Sequence, residues 1–176
     1  MPAARYPDTD PRRLAALRAL QILDTKREAA FDDRAWLAAA LMDTPMAAIS
    51  LIDEDRQWFK STVGFTALET PRDIAICGYT ILGAEPLVIE DATMDERVSD
   101  NERVTSAPCL RFYAGVPLRT ADRHNIGALC TMDTRPRIVT RSQITMLETL
   151  AKSVLRTIEE RSTADQAAAR RMTGRD

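Results

Sequence analysis

Apolar positions along this chain recur in one period at its two ends and in another between them. From Arg12 to Leu23, Leu14, Leu17 and Leu20 with Ala15, Ala16 and Ala19 give an apolar face and predict a helix. Asp24 and Thr25 break it. Glu28 to Asp43 carries Phe31, Ala35, Ala38 and Met42 at helical spacing, and Pro45 stops this second helix. Met46 to Asp53 (MAAISLID) then reads as a strand buried on both faces. Arg56 to Val63 (RQWFKSTV) follows after a two-residue polar turn, so the pair predicts an antiparallel hairpin. Adjacent Trp58 and Phe59 must then face opposite sides of the sheet.

The middle is less regular. Residues 65–75 read as a loop entering a short helix at Ile76 to Leu82, and Leu87 to Glu90 reads as a short strand. Asp91 to Thr105 is polar and acidic, a loop with a helical turn. Phe112 to Leu118 and Ile126 to Asp133 predict a second hairpin with His124 and Asn125 at its turn. Thr140 and Gln143 form a capping box for a helix from Thr140 to Arg161, with Ile144, Leu147, Leu150, Ala151, Val154, Leu155 and Ile158 as its apolar stripe. Pro2, Pro7 and Pro11 make residues 1–11 a flexible arm, and residues 162–176 an extension or tail of the last helix. Helices, hairpin, irregular middle, hairpin, helix: this order predicts an α+β domain around a mainly antiparallel sheet with its helices on one face.

Composition narrows the function. Lys plus Arg is 24 and Asp plus Glu is 26, a net charge of -2, which offers no basic field to nucleic acid. The apolar runs are too short to span a bilayer, and Met1 to Arg12 lacks a secretory h-region, so the expectation is a cytoplasmic protein with no membrane contact. Three cysteines, Cys77, Cys109 and Cys130, without a CxxC, make neither a disulfide framework nor a structural zinc site.

Six segments carry a family resemblance: LRALQILDT (17–25), ISLIDEDRQWFKSTVG (49–64), ETPRDIAICGYTI (69–81), PLVIEDA (86–92), RFYAGVPLRT (111–120) and IGALCTMDT (126–134). In this order and spacing, residues 12–161 resemble the GAF domains at the N-terminus of bacterial sensor histidine kinases and diguanylate cyclases. The resemblance implies a GAF-like (profilin-like) antiparallel sheet of five or six strands, end helices on one face and a ligand pocket on the other. It implies a sensory module that binds a small molecule and signals through its terminal helices as a homodimer. Only about fifteen residues follow the last helix, so the expectation is that a separate signalling protein receives the signal.

The family's known ligands leave the ligand unnamed here. No Asn-Lys signature for cyclic nucleotides occurs, no cysteine is followed by the histidine usual for a bilin, and the lone His124 sits at a predicted hairpin tip, away from any haem. No cofactor and no metal is identified. The acidic run Asp91, Asp95, Glu96, Asp100 lacks the glycine and the terminal glutamate of a calcium loop.

The candidate ligand-binding residues are Arg72, Asp73, Cys77, Tyr79, Cys109, Arg111 and Tyr113, in a pocket expected from residues 69–82 and 91–113. Arg72 suits a carboxylate or phosphate, with a structural salt bridge as its competing role. Tyr79 and Tyr113 offer apolar walls with one polar handle each. Cys109 and Cys77 resemble cysteines of free methionine-(R)-sulfoxide reductases, with Arg111 placed to activate Cys109. Cys130 has no counterpart there, so a catalytic site is not the leading expectation. The alternatives are such a thiol-dependent reductase and a degenerate protein-interaction domain.

Overall fold

The two strands of the first predicted hairpin become β1 (Met46–Ile52) and β2 (Arg56–Val63), paired antiparallel. The computed structural model describes residue 7 and residues 10–173. Most of the expected 1–11 arm lies outside the described residues. Its last part does not: α1 (Asp10–Ala19) starts two residues earlier than the periodicity predicts, with Pro11 in its first turn, where a missing N–H is harmless. It also stops short of Leu23, because Gln21 and Asp24 adopt left-handed φ of 50° and 58°. α2 (Ala29–Met42) follows its prediction closely and ends on Asp43, also left-handed.

After β2 the chain makes β3 (Glu69–Pro71), a 3-10 turn (Arg72–Ile74) and the single turn α3 (Cys77–Thr80). β4 (Leu87–Ile89), the short α4 (Glu102–Thr105), β5 (Phe112–Arg119), β6 (Asn125–Asp133) and α5 (Arg141–Thr173) complete it. All strand pairs are antiparallel, in one six-stranded sheet of order β3-β2-β1-β6-β5-β4. β3 is an edge strand that the sequence reading placed in a loop; it is three residues long and ends in a proline.

Alternation sorts the side chains between two cores. On one face Leu17, Phe31, Ala35, Ala38, Leu147, Ala151, Val154 and Ile158 from the helices pack on Ile49, Leu51, Trp58, Phe112, Ala114 and Leu118 from the strands. On the other, Met46, Ala48, Ile52, Phe59, Tyr113 and Cys130 meet the irregular segments through Ala75, Ile76, Val98, Val104 and Leu110. Trp58 and Phe59 therefore part to opposite sides as expected.

A bulge in β2 departs from simple alternation: Ser50 pairs with Phe59 but Ile49 with Ser61, so Lys60 is the extra residue. Lys60 and Ser61 consequently both reach the helices. Lys60 Nζ donates to Thr25 Oγ1 (2.8 Å), Lys26 O (2.6 Å) and Glu28 Oε1 (2.6 Å), and Ser61 Oγ donates to Asp32 Oδ1 (2.6 Å). α5 is a single helix of 33 residues, about 50 Å at 1.5 Å per residue. It runs past Arg161 without interruption, and beyond Ser162 its side chains up to Met172 are exposed.

Candidate functional site

The strand alternation leaves the face opposite the helices apolar, and short segments cover it instead of a helix. Residues 64–77 and 103–110 arch over β1, β2, β5 and β6 and leave a hollow of about 320 Å³ between them. That volume is at the small end of the roughly 300–1,000 Å³ of ligand pockets. Phe59 and Phe65 form one wall, edge to face at 5.2 Å between ring centres. Met46, Met132 and Leu110 supply further apolar wall, and Gln57, Thr70, Cys77, Tyr113 and Arg103 the polar part. Gly64, at the end of β2, sits at φ 80°, and a Cβ there would fall 2.1 Å from Pro45 O; only glycine lets the chain turn into the arch at that point.

A thiol and phenol cluster closes one end. The Cys77 and Cys130 sulfurs lie 3.6 Å apart, Tyr113 Oη donates to Cys77 Sγ at 3.3 Å, and Tyr113 Oη and Thr80 Oγ1 share a hydrogen bond of 2.6 Å. Gly115, two residues along β5 on the same face, makes room for that phenol: a Cβ would lie 2.2 Å from Tyr113 Oη. The hydrogen bond with Cys130 lowers the Cys77 pKa against the opposing effect of burial, with Tyr113 as a further donor. The same shared proton and burial push Cys130 well above its ordinary value, so one thiolate is favoured over two. Burial raises Tyr113 well above the ordinary phenol range.

The structure brings only Cys77 and Tyr113 of the seven expected site residues into the hollow's lining. Arg72 points the other way. It donates to both carboxylate oxygens of Asp10 (2.9 and 3.0 Å) and to Asp53 O (2.9 Å), where Arg13 also holds Asp10 (2.7 Å). The structural role thus displaces the ligand role, because a buried carboxylate on α1 claims the guanidinium. Asp73 is exposed in the 3-10 turn, and Tyr79 is half-buried outside the lining. Arg111 donates to Val104 O (3.0 Å) and Leu110 O (2.9 Å), which ties the α4 arch to β5 and leaves it outside the lining. Cys109 is exposed at φ 59° and also outside the lining; the thiol in contact with Cys77 is Cys130, the one set aside at the sequence level.

The reading also missed Gln57 and Arg103. Gln57 was recoverable: in RQWFKSTV it shares a face with Phe59, so a polar residue was bound to sit beside that ring. Arg103 had no such signal, since its placement depends on how the 91–111 segment folds. That segment's acidic half, 91–101, contributes nothing to the lining. A larger depression of about 610 Å³ runs along the surface between the end of α2 and the 133–137 turn. Its Arg137 is already paired with Asp133 and Asp43. Among the described residues, no group of three or more His, Cys, Asp or Glu side chains is placed to hold a metal, and no helix is long and apolar enough to cross a membrane.

Known proteins share this architecture. The family described as GAF domain matches residues 18–158. A cyclic di-GMP phosphodiesterase of Pseudomonas aeruginosa is 38% identical over 151 residues, which cover 85% of this chain and 26% of the relative. The chain therefore spans about a quarter of the length of that curated relative. The GAF domain of an Acinetobacter phosphoenolpyruvate-protein phosphotransferase superposes with a TM-score of 0.60 at 16% identity, over 91% of this chain and 96% of that one. A free methionine-R-sulfoxide reductase from Neisseria meningitidis, solved with its substrate, superposes with a TM-score of 0.61 at 18% identity, over 94% and 99%. At these identities the two structures show a shared fold. With the family matched across most of the sequence and its sheet, end helices and opposed hollow all present, this chain belongs to the GAF family of sensory and signalling modules.

Proposed function

We propose that this GAF domain binds a small molecule in the hollow and passes the bound state to α5. One observation carries the reading: the wall of the hollow continues, residue by residue, to the C-terminal helix. Phe59 lines the hollow, and Lys60, next in β2, is fully buried on the opposite face. Lys60 holds Glu28 at 2.6 Å, and Glu28 Oε1 also accepts from Arg161 of α5 at 2.9 Å. A ligand that moves Phe59 moves the β2 bulge and, with it, the ion pair that sets α5. Binding then selects between two settings of the helix, each preferred by one ligand state.

Two copies pairing through their helical faces would make α5 an output lever. Trp36 and Leu37 on α2 and Met146 on α5 are large apolar side chains left exposed there, which supports a homodimer. A cytoplasmic location and a separate or attached signalling partner complete the proposal. Native mass spectrometry of the purified chain tests it, reading subunit number and any retained small molecule together. The reading expects a retained mass that disappears in Ala67→Trp, which places an indole at the exposed mouth of the hollow. A retained mass unaffected by that change would put the ligand elsewhere and defeat the proposal.

A second reading rests on the Cys77–Cys130 contact: a thiol-dependent reductase, in which one thiol attacks an oxidised sulfur and the other resolves the intermediate. Incubation with methionine sulfoxide and a dithiol reductant decides it. Turnover lost in Cys77→Ser or Cys130→Ser would establish this reading, and no turnover by the intact chain would end it.

A further inference from the structure

The geometry points to a small organic anion as the ligand of the hollow, its carboxylate on Arg103, a polar group against Gln57 and an apolar body along Phe59. This rests on the hollow being the binding site, and sharpens that reading to a chemical class.

The charge follows from how the arginines around the hollow are used. Arg72 is committed to Asp10, Arg97 to Asp95, and Arg111 to two carbonyls. Arg103 is different. Its backbone is fixed at both ends: its N–H donates to Asn101 Oδ1 (2.8 Å) and its carbonyl accepts from Leu110 N (2.8 Å). The residue is half-buried, and its guanidinium meets no hydrogen-bond or ion-pair partner among the described residues. It is also the one charged side chain in the lining. A positioned, uncommitted guanidinium at the edge of an apolar hollow suits a carboxylate through two parallel hydrogen bonds.

Gln57 supplies an independent observation. It is 7% exposed, its Nε2 lies 3.4 Å from Thr70 Oγ1, and its Oε1 is buried with no partner. Turning the amide over merely exchanges which end is left open. Either way a buried amide group beside the hollow lacks a partner, one of seven such side-chain atoms among the described residues, and the one of them whose residue lines the hollow; a ligand's polar group there would supply it. The remaining wall is apolar and aromatic. The volume of about 320 Å³ equals roughly ten waters at about 30 Å³ each, enough for an aromatic acid of amino-acid size.

The test uses the intact chain labelled with 13C at its methionine methyls, because Met46 and Met132 line the hollow and report on its contents. The probes are benzoate, phenylacetate, 3-phenylpropanoate and 3-phenyllactate, each against its own primary amide. At least one acid is expected to shift the Met46 and Met132 methyls saturably and to bind at least tenfold more tightly than its amide. Arg103→Gln should bring the acid down to the level of the amide, and Arg103→Lys should restore part of the difference. Acid and amide binding alike, or acid binding indifferent to Arg103→Gln, would overturn the anion assignment while leaving the hollow as the site. If neither acids nor amides move these methyls, both the anion assignment and the hollow as binding site fall.

Discussion

The two faces of the sheet are built from the same six strands yet finished in opposite ways. Three helices of regular period close one face, and the buried cations Lys60, Arg13 and Arg72 are paired there, Lys60 with Glu28, Arg13 and Arg72 with Asp10. The other face is covered by single turns and loops. It keeps an unfilled volume, an amide with one end unpartnered and an arginine whose guanidinium meets no partner among the described residues. Where packing is complete, side chains serve stability. Where it is left incomplete, the same strands line the hollow proposed as the binding site.

If that division holds, the heaviest penalties lie on the helical side. Asp10→Ala would leave Arg13 (2% exposed) and Arg72 (6%) without their shared carboxylate, a loss expected to cost about 3–5 kcal/mol in urea unfolding. Acid titration separates the ionic part of this loss. Burial raises the Asp10 pKa, but the hydrogen bonds from Arg72 and Arg13 prevail and hold it below the ordinary 3.8. A carboxylate so depressed stabilises the fold above its unfolded pKa and loses that contribution as pH falls through the folded one. The stability gap between the native sequence and Asp10→Ala should therefore be full at neutral pH and narrow below about pH 4. A gap that stays constant down to pH 3 would show that Asp10 acts by shape alone.

A matched pair of truncations compares the faces directly. Phe31 is fully buried in the core of the helical face and lies under Lys60 Nζ, 4.9 Å from its ring centre. Phe31→Ala opens a closed cavity and should cost about 3–5 kcal/mol. Phe59, 8% exposed, already borders empty space. Phe59→Ala only enlarges that space, so its cost should stay nearer the roughly 1.5–3 kcal/mol of transfer alone. Equal losses at the two positions would mean the hollow is packed in solution.

The same contrast explains what could be read from the sequence. Helix and strand periods made α2, β1, β2, β5, β6 and the start of α5 legible almost to the residue, because burial on a regular element imposes a repeat. The fold followed from these elements. Most of the hollow's lining did not. The sequence leaves Arg72 between a ligand's carboxylate or phosphate and a structural salt bridge; the partner that decides between them, Asp10, is 62 residues away and no local pattern announces it. Arg103 and Cys130 were passed over for the complementary reason: their roles come from neighbours that only the folded arch brings near. Periodicity reports which face a residue takes; pairing across the chain needs the third dimension.

A smaller effect probes the helical face at its edge. The capping box read from the sequence is present: Thr140 N donates to Gln143 Oε1 (3.0 Å) and Gln143 N to Thr140 Oγ1 (3.2 Å). Thr140→Ala should cost about 1 kcal/mol, and it should loosen the first turn of α5 in hydrogen exchange while leaving the hollow's methionine signals unmoved. A shift of those signals would show that the two faces are coupled through the start of α5 as well as through Glu28.

The cysteines give the smallest energetic change and the finest test of how closed the hollow face is. Cys109 stands exposed on the arch, while Cys77 and Cys130 are buried in contact with one another. An aromatic disulfide reagent should modify one thiol at once, and the other two only at the rate at which this face opens. Cys109→Ser should abolish the fast phase and change stability by no more than about 0.5 kcal/mol, as for most surface positions. The slow phase should then report the free energy of opening the arch alone, below that of global unfolding, because single turns and loops cover this face and three helices cover the other. Should the slow phase instead track global unfolding, the arch would be as firmly held as the helical core, and the division drawn between the faces would fail.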